Sequence, residues 1–218
     1  MRIFSLVLGS AFFFVSCFNC EPDIELGFFG LMDESHSFFP YSSSEVLRFI
    51  DQDSMEHTLR QKFFTDTHEA RAVVDLLCSE AIIGGQEEYY RLEKKSITLT
   101  DTARGGYIEI ILTTGISNLD DIDSSVVYDY LSMNCGTGPV SRISNRIITS
   151  IHEDFNNGQS PNEYLNIASF IGDTIINNTL YKDVYRGVHN GRGKTYYNKA
   201  NGILLIYISE DDFLVLQS

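Results

Sequence analysis

Few stretches of this chain place reactive side chains at spacings that chemistry can use. Gly191-Arg192-Gly193-Lys194-Thr195 ends like a phosphate-binding loop, in which backbone amides and a lysine cradle the phosphates. That pattern needs a glycine five positions before Gly193, where Val188 stands, and a helix after Thr195, where a Tyr-rich run follows. The segment reads as a β-turn with a basic tip. Asp120-Asp121-Ile122-Asp123 gathers carboxylates of the kind that hold a hard cation such as calcium. It lacks the spacing and the glycine of a calcium loop, so it reads as a solvated acidic turn. Glu210-Asp211-Asp212 reads the same way, its like charges blunting a strand edge near the chain end. The histidines (His36, His57, His68, His152 and His189) show no zinc-ligand spacing, no serine sits in a Gly-x-Ser-x-Gly elbow, and surface or turn positions are expected for all five. With 30 Asp and Glu, some pair will fall at glycosidase distance by chance. No catalytic set, metal site or cofactor follows from the sequence.

Twelve tyrosines offer stacking surfaces for a ligand such as a sugar, and the clusters to inspect are Tyr89 with Tyr90, Tyr128 with Tyr130, and Tyr196 with Tyr197. The chain has no Trp, and on strands such clusters more often pair across the sheet. A net charge of -14 with no Lys/Arg-rich stripe repels phosphate backbones and disfavours nucleic acid. With 43% apolar residues and 21% charged, the chain can bury a sizeable core.

The leader is the most informative segment. Arg2 supplies one positive charge, and residues 3–16 are almost wholly apolar, the pattern of a secretory signal. As a helix that run spans about 21 Å, short of the roughly 30 Å hydrocarbon core, and no second apolar run reaches about 18 residues. Ser16-Cys17 closes it in a way that resembles the lipobox of bacterial lipoproteins, with Phe14 where that pattern has an aliphatic residue. The resemblance implies a lipid on Cys17 and a membrane partner reached through it; the alternative is an ordinary signal peptide cleaved near Ser16. Cys20, Cys78 and Cys135 then remain. A disulfide between Cys78 and Cys135 and a pair of buried thiols are equally compatible with the spacing.

The expected organisation is a leader over residues 1–16, a tether over 17–44 and one antiparallel β domain over 45–218, as a sandwich or barrel-like sheet with at most one or two short helices. Residues 21–44 show no sustained period, although Phe28-Phe29 and Phe38-Phe39 should pack in places. Period-two alternation runs through Ser96–Thr100 and Tyr107–Thr113, and a polar break at Gln52–Met55 separates the arms of a hairpin over residues 45–65. Ala70–Ala81 has apolar residues at helical spacing and is a candidate helix. Ile143, Ile147 and Ile151 recur every four residues, but their β-branching favours a strand.

At the C-terminus, Ile171-Gly172-Asp173, the run Leu180–Tyr185 and the run Lys194–Leu204 resemble the closing strands of uncharacterised secreted lipoproteins from Bacteroidota. Tyr196 and Tyr197 should pair with the Ile203–Ile208 run across a turn at Asn198–Gly202, with Gly202 supplying a φ that other residues resist. The resemblance implies fold and address, namely export to the cell envelope, most simply the outer membrane. The expected function is a non-catalytic binding or structural role with an unknown protein or glycan partner. The rivals are an exported hydrolase of glycan or peptide and a carbohydrate-binding module.

Overall fold

The computed structural model describes residues 23–76, 87–101, 105–119, 125–137, 142–152, 168–189, 193–209 and 212–217. Alternation builds its sheet. In β4 (Glu87–Asp101) and β5 (Gly106–Ile116), Ile97 stands opposite Ile110 and Leu99 opposite Ile108, all buried on one face. β6 (Val127–Thr137) continues that face with Met133 opposite Ile110 and Leu131 opposite Leu112, and β7 (Arg142–Ile151) adds Ile143 and Ile147. On the other side of β4 lie β3 (Glu56–Leu76) and β2 (Val46–Asp51), which form the expected hairpin around Gln52–Met55. The chain then returns through β8 (Ser169–Ile176), β9 (Thr179–His189), β10 (Gly193–Asn198), β11 (Gly202–Ser209) and β12 (Asp212–Leu216), and β12 pairs with β2.

Two units make up the described chain. The smaller comprises 23–29, 70–76 and 87–92, where β1 (Ile24–Phe29) runs parallel to the start of β4. Arg71 holds it together, pairing with Asp23 at 2.6 Å and Glu87 at 3.6 Å and lying 4.2 Å above the Tyr89 ring. The larger unit holds the rest and forms an eleven-stranded, nearly closed antiparallel barrel with one short helix, in the order β7-β6-β5-β4-β3-β2-β12-β11-β10-β9-β8. Its seam lies where β7 meets the last strands: the Ala168 N–H donates to the Arg146 carbonyl, and the buried Asn145 amide donates to Thr195 Oγ1 at 2.9 Å. Gly187 lets the walls meet, because a Cβ there would come within 2.5 Å of the Asn145 side chain.

The registers put the turns on either side of β2, β4 and β11 at defined ends. Asp51, Glu56, Asp101, Gly106 and Asp212 share one end; Ile116, Val127, Ile151 and Gly202 share the other. Residues 31–41 cover the second end. There the one-turn helix α1 (Asp33–His36) accepts the Thr149 hydroxyl on Ser35 Oγ and the Ser150 hydroxyl on Glu34 Oε1, at 2.8 and 2.7 Å. The Met32 N–H donates to Asp129 Oδ2 and the Leu31 N–H to Glu93 Oε2. Phe38, Phe39 and Tyr41 enter the core, where Tyr197 donates to the Phe38 carbonyl and Tyr41 Oη accepts the Ile203 N–H at 2.9 Å. Residues 31–41 thus pack onto the barrel, and α1 is too short to carry a full period for sequence reading to detect.

β11 is apolar without interruption because it is buried on both faces: Ile203 points into the barrel, while Leu204 packs outside with Ile176, Tyr181, Val184 and Val215. One expectation is corrected. Residues 70–76, part of the candidate helix, belong to strand β3; pairing along the sheet and the β-branched Val73 and Val74 outweigh the helical spacing. Residues 77–81 lie outside the described residues.

Gly202 adopts φ 76° as the turn requires, and a Cβ there would overlap the Tyr41 ring. Gly105, at φ 73°, has open space around it. Gly202→Ala is expected to cost about 3 kcal/mol, from overpacking added to backbone strain, and Gly105→Ala about 1 kcal/mol from backbone strain alone. Urea denaturation of both variants checks this; equal losses would mean that the Tyr41 contact contributes nothing.

Candidate functional site

At the barrel end opposite α1, three strands bring a histidine between two carboxylates. Asp51 closes β2, His57 is the second residue of β3 and Asp101 closes β4. The hairpin turn aims the first pair. Asp51 Oδ1 accepts the N–H groups of Asp53 and Met55, at 3.0 and 2.8 Å, an arrangement that Asp adopts readily in turns. Asp51 Oδ2 is thereby left facing His57 Nε2, at 2.8 Å. On the other side, His57 Nδ1 lies 3.3 Å from Asp101 Oδ2. All three side chains are almost enclosed, His57 at 12% exposure and the carboxylates at 8% and 9%. A ring carrying a proton on each nitrogen donates to both carboxylates at once. The His57 contact and the two turn amides hold the Asp51 carboxyl well below the usual range, at about 2.

Beneath this clasp is a cavity of about 200 Å³. Leu59, Ile108, Cys135, Ile206, Ile208 and Leu214 form its apolar wall, with Gly106, Tyr107 and Gly136, and Gln52 and Asp212 join the three clasp residues at its rim. The wall is assembled from strands far apart in sequence: β3, β5, β6, β11 and β12 each contribute. Burial pushes the Cys135 thiol up to about 12, which favours its neutral form. A catalytic histidine uses one nitrogen for orientation and turns the other to substrate. His57 has a carboxylate on each.

Sequence spacing gave no sign of this clasp, and the expectation of surface or turn histidines is corrected for two of the five. His57 and His152 are both largely buried against carboxylates, the second with Nε2 3.0 Å from Asp129 Oδ1. Asp129 is wholly buried and also accepts the Thr114 hydroxyl at 3.0 Å, so it fastens the opposite end of the barrel. Asp101 is 44 residues from His57 along the chain and Asp129 is 23 from His152, whereas Asp51 is only six residues from His57, across the hairpin turn. The one local hint is that Asp51 and Asp101 each end an alternating apolar run.

The tyrosines considered for stacking do not form one row. Tyr89 and Tyr90 lie in the smaller unit, where Tyr89 is buried under Arg71 and Tyr90 packs 5.3 Å from Phe29. Tyr128 and Tyr130 pack together at 5.8 Å, with the Arg146 guanidinium 5.0 Å from Tyr130. Tyr197 is fully buried, and Tyr196 lines a shallow outer groove with Leu205, Tyr207 and Phe213. Cys17 and Cys78 lie outside the described residues; Cys135 is 3% exposed on the cavity wall. Among the described residues no group of three His, Cys, Asp or Glu side chains is arranged to hold a metal, and no helix is long and apolar enough to cross a membrane.

The depressed Asp51 carboxyl makes a stability prediction. An unfolded Asp titrates at about 3.9, so the folded state binds this proton more weakly. Its contribution is fully present above about pH 4 and is lost as pH falls through about 2. Asp51→Asn is expected to lower stability at neutral pH and to flatten the decline between pH 4 and 2, measured by urea denaturation across that range; an unchanged acid profile would show that the clasp does not couple to folding. No family model, curated protein or solved structure matches this chain.

Proposed function

We propose that this is a non-catalytic binding protein whose barrel takes a small, largely apolar molecule into its end cavity, displayed outside the cytoplasm on a lipid-anchored chain. The cavity carries the reading. It is enclosed by aliphatic side chains, sits opposite the end covered by residues 31–41, and has a polar rim at its mouth. Such a combination, an apolar body with a few polar groups for orientation, is the common form of a small-molecule site, and mouths of β-barrels are a frequent location. The commitment of both His57 nitrogens supports holding over catalysis.

Toluene is a fitting probe. A cavity of roughly 150 Å³ already accommodates benzene, and here toluene should shift the methyl resonances of Leu59, Ile108 and Ile206. Ile206→Phe, which fills the space, should weaken binding at least tenfold while preserving the fold. Unshifted resonances at saturating toluene, or equal binding to the filled variant, would overturn the reading.

The address rests on the leader, on Ser16-Cys17 and on the likeness of the closing strands to secreted lipoproteins of Bacteroidota. Cys17→Ala is expected to move the protein from the membrane fraction to the soluble one. Unchanged fractionation, with no label entering the wild type from radioactive palmitate, would remove the anchor.

A further inference from the structure

Resting on that reading of the cavity, we infer that its occupant is a small amine: an apolar body of about one ring, with a protonated nitrogen at the rim. The size follows from the volume. About 200 Å³ accepts one ring or a short chain, and a long acyl chain would protrude beyond the walls. Apart from Tyr107, the Cys135 thiol and backbone at Gly106 and Gly136, the wall is aliphatic, so the greater part of the ligand has to be apolar.

The head group follows from what meets at the mouth. Asp51 arrives from β2, Asp101 from β4 and Asp212 from β12, around the single imidazole of His57 from β3. Among the described residues that line it, three carboxylates outnumber the one imidazole and make this rim negative. No Lys or Arg stands among the described residues that line the cavity. An ammonium brought there gains carboxylate acceptors in a poorly hydrated place, where each contact is stronger than in water. A carboxylate brought there would lose its hydration and meet like charge. The chain's net charge of -14 acts in the same sense at long range, drawing cations in and turning anions away. Asp51 is anionic over the whole physiological range, since His57 and the turn amides stabilise its charged form.

Three probes of nearly equal size separate the head group from the body. Toluene, benzylamine and benzoate are titrated at pH 7 into the full chain as isolated from cells, with methyl resonances of the cavity wall as readout and Ile206→Phe as the control for binding elsewhere. Benzylamine is expected to bind at least tenfold more tightly than benzoate, with toluene between them. Asp101→Asn should narrow that gap to about threefold, and Asp212→Asn, which leaves the clasp intact, should narrow it in the same direction. Toluene binding with benzoate equal to or tighter than benzylamine would overturn the amine inference and leave the cavity reading standing. A gap unaltered in both folded Asn variants would overturn the assignment of the rim as its cause. Silence from all three probes would overturn the cavity reading itself, and the inference with it.

Discussion

The pairing of β12 with β2 is the constraint on which the rest of this molecule depends. Leu214 stands opposite Asp51, Val215 opposite Ile50 and Leu216 opposite Phe49, so the strands that end the chain are stitched to the first strand of the barrel. Without that ladder the sheet would fall into a β2–β7 half and a β8–β12 half, each with one bare apolar face. With it, Leu59 and Ile108 from one half face Ile206 and Leu214 from the other. The interior exists because the two halves share a wall, and edge groups that would otherwise seek partners are used up in forming it.

The two ends of the barrel are treated differently, and buried carboxylates mark both. At one end Asp129 spends its oxygens on Thr114, His152 and the Met32 amide, and the residues that follow Met32 stop the opening with aromatic rings. At the other, Asp51 and Asp101 grip His57 from two hairpins that would otherwise be independent, and open space remains underneath. A buried carboxylate with its acceptors filled is costly to disturb. The ends therefore differ in what lies below each carboxylate: packed rings in one case, a void in the other.

Local pattern carried the strands well. The alternation through β4 and β5 reads directly from Ile97, Leu99, Ile108 and Ile110, and the polar break at Gln52–Met55 marks its hairpin. The closing turn behaves as its sequence implies, with Tyr197 opposite Ile203 and Tyr196 opposite Leu205 across a Gly202 at positive φ. What escaped is what depends on distant partners. Residues 70–76 show helical spacing, but their neighbours in the sheet decide their conformation. The His57 clasp spans residues 51 to 101, and no spacing rule relates those positions. Tyr197, considered for ligand stacking beside Tyr196, is buried by Phe38 and Tyr41, which arrive from more than 150 residues away.

The ladder between residues 49 and 216 also sets a timetable. A nascent chain can form the β2–β3 hairpin and the β4–β7 meander early, because their partners are close along the sequence. Closure waits for the final strand, and bringing such remote segments together carries a large entropic cost before any contact rewards it. Until the last residues are free, the interior is exposed as two oily half-shells, each open to the wrong apolar partner before the right one arrives.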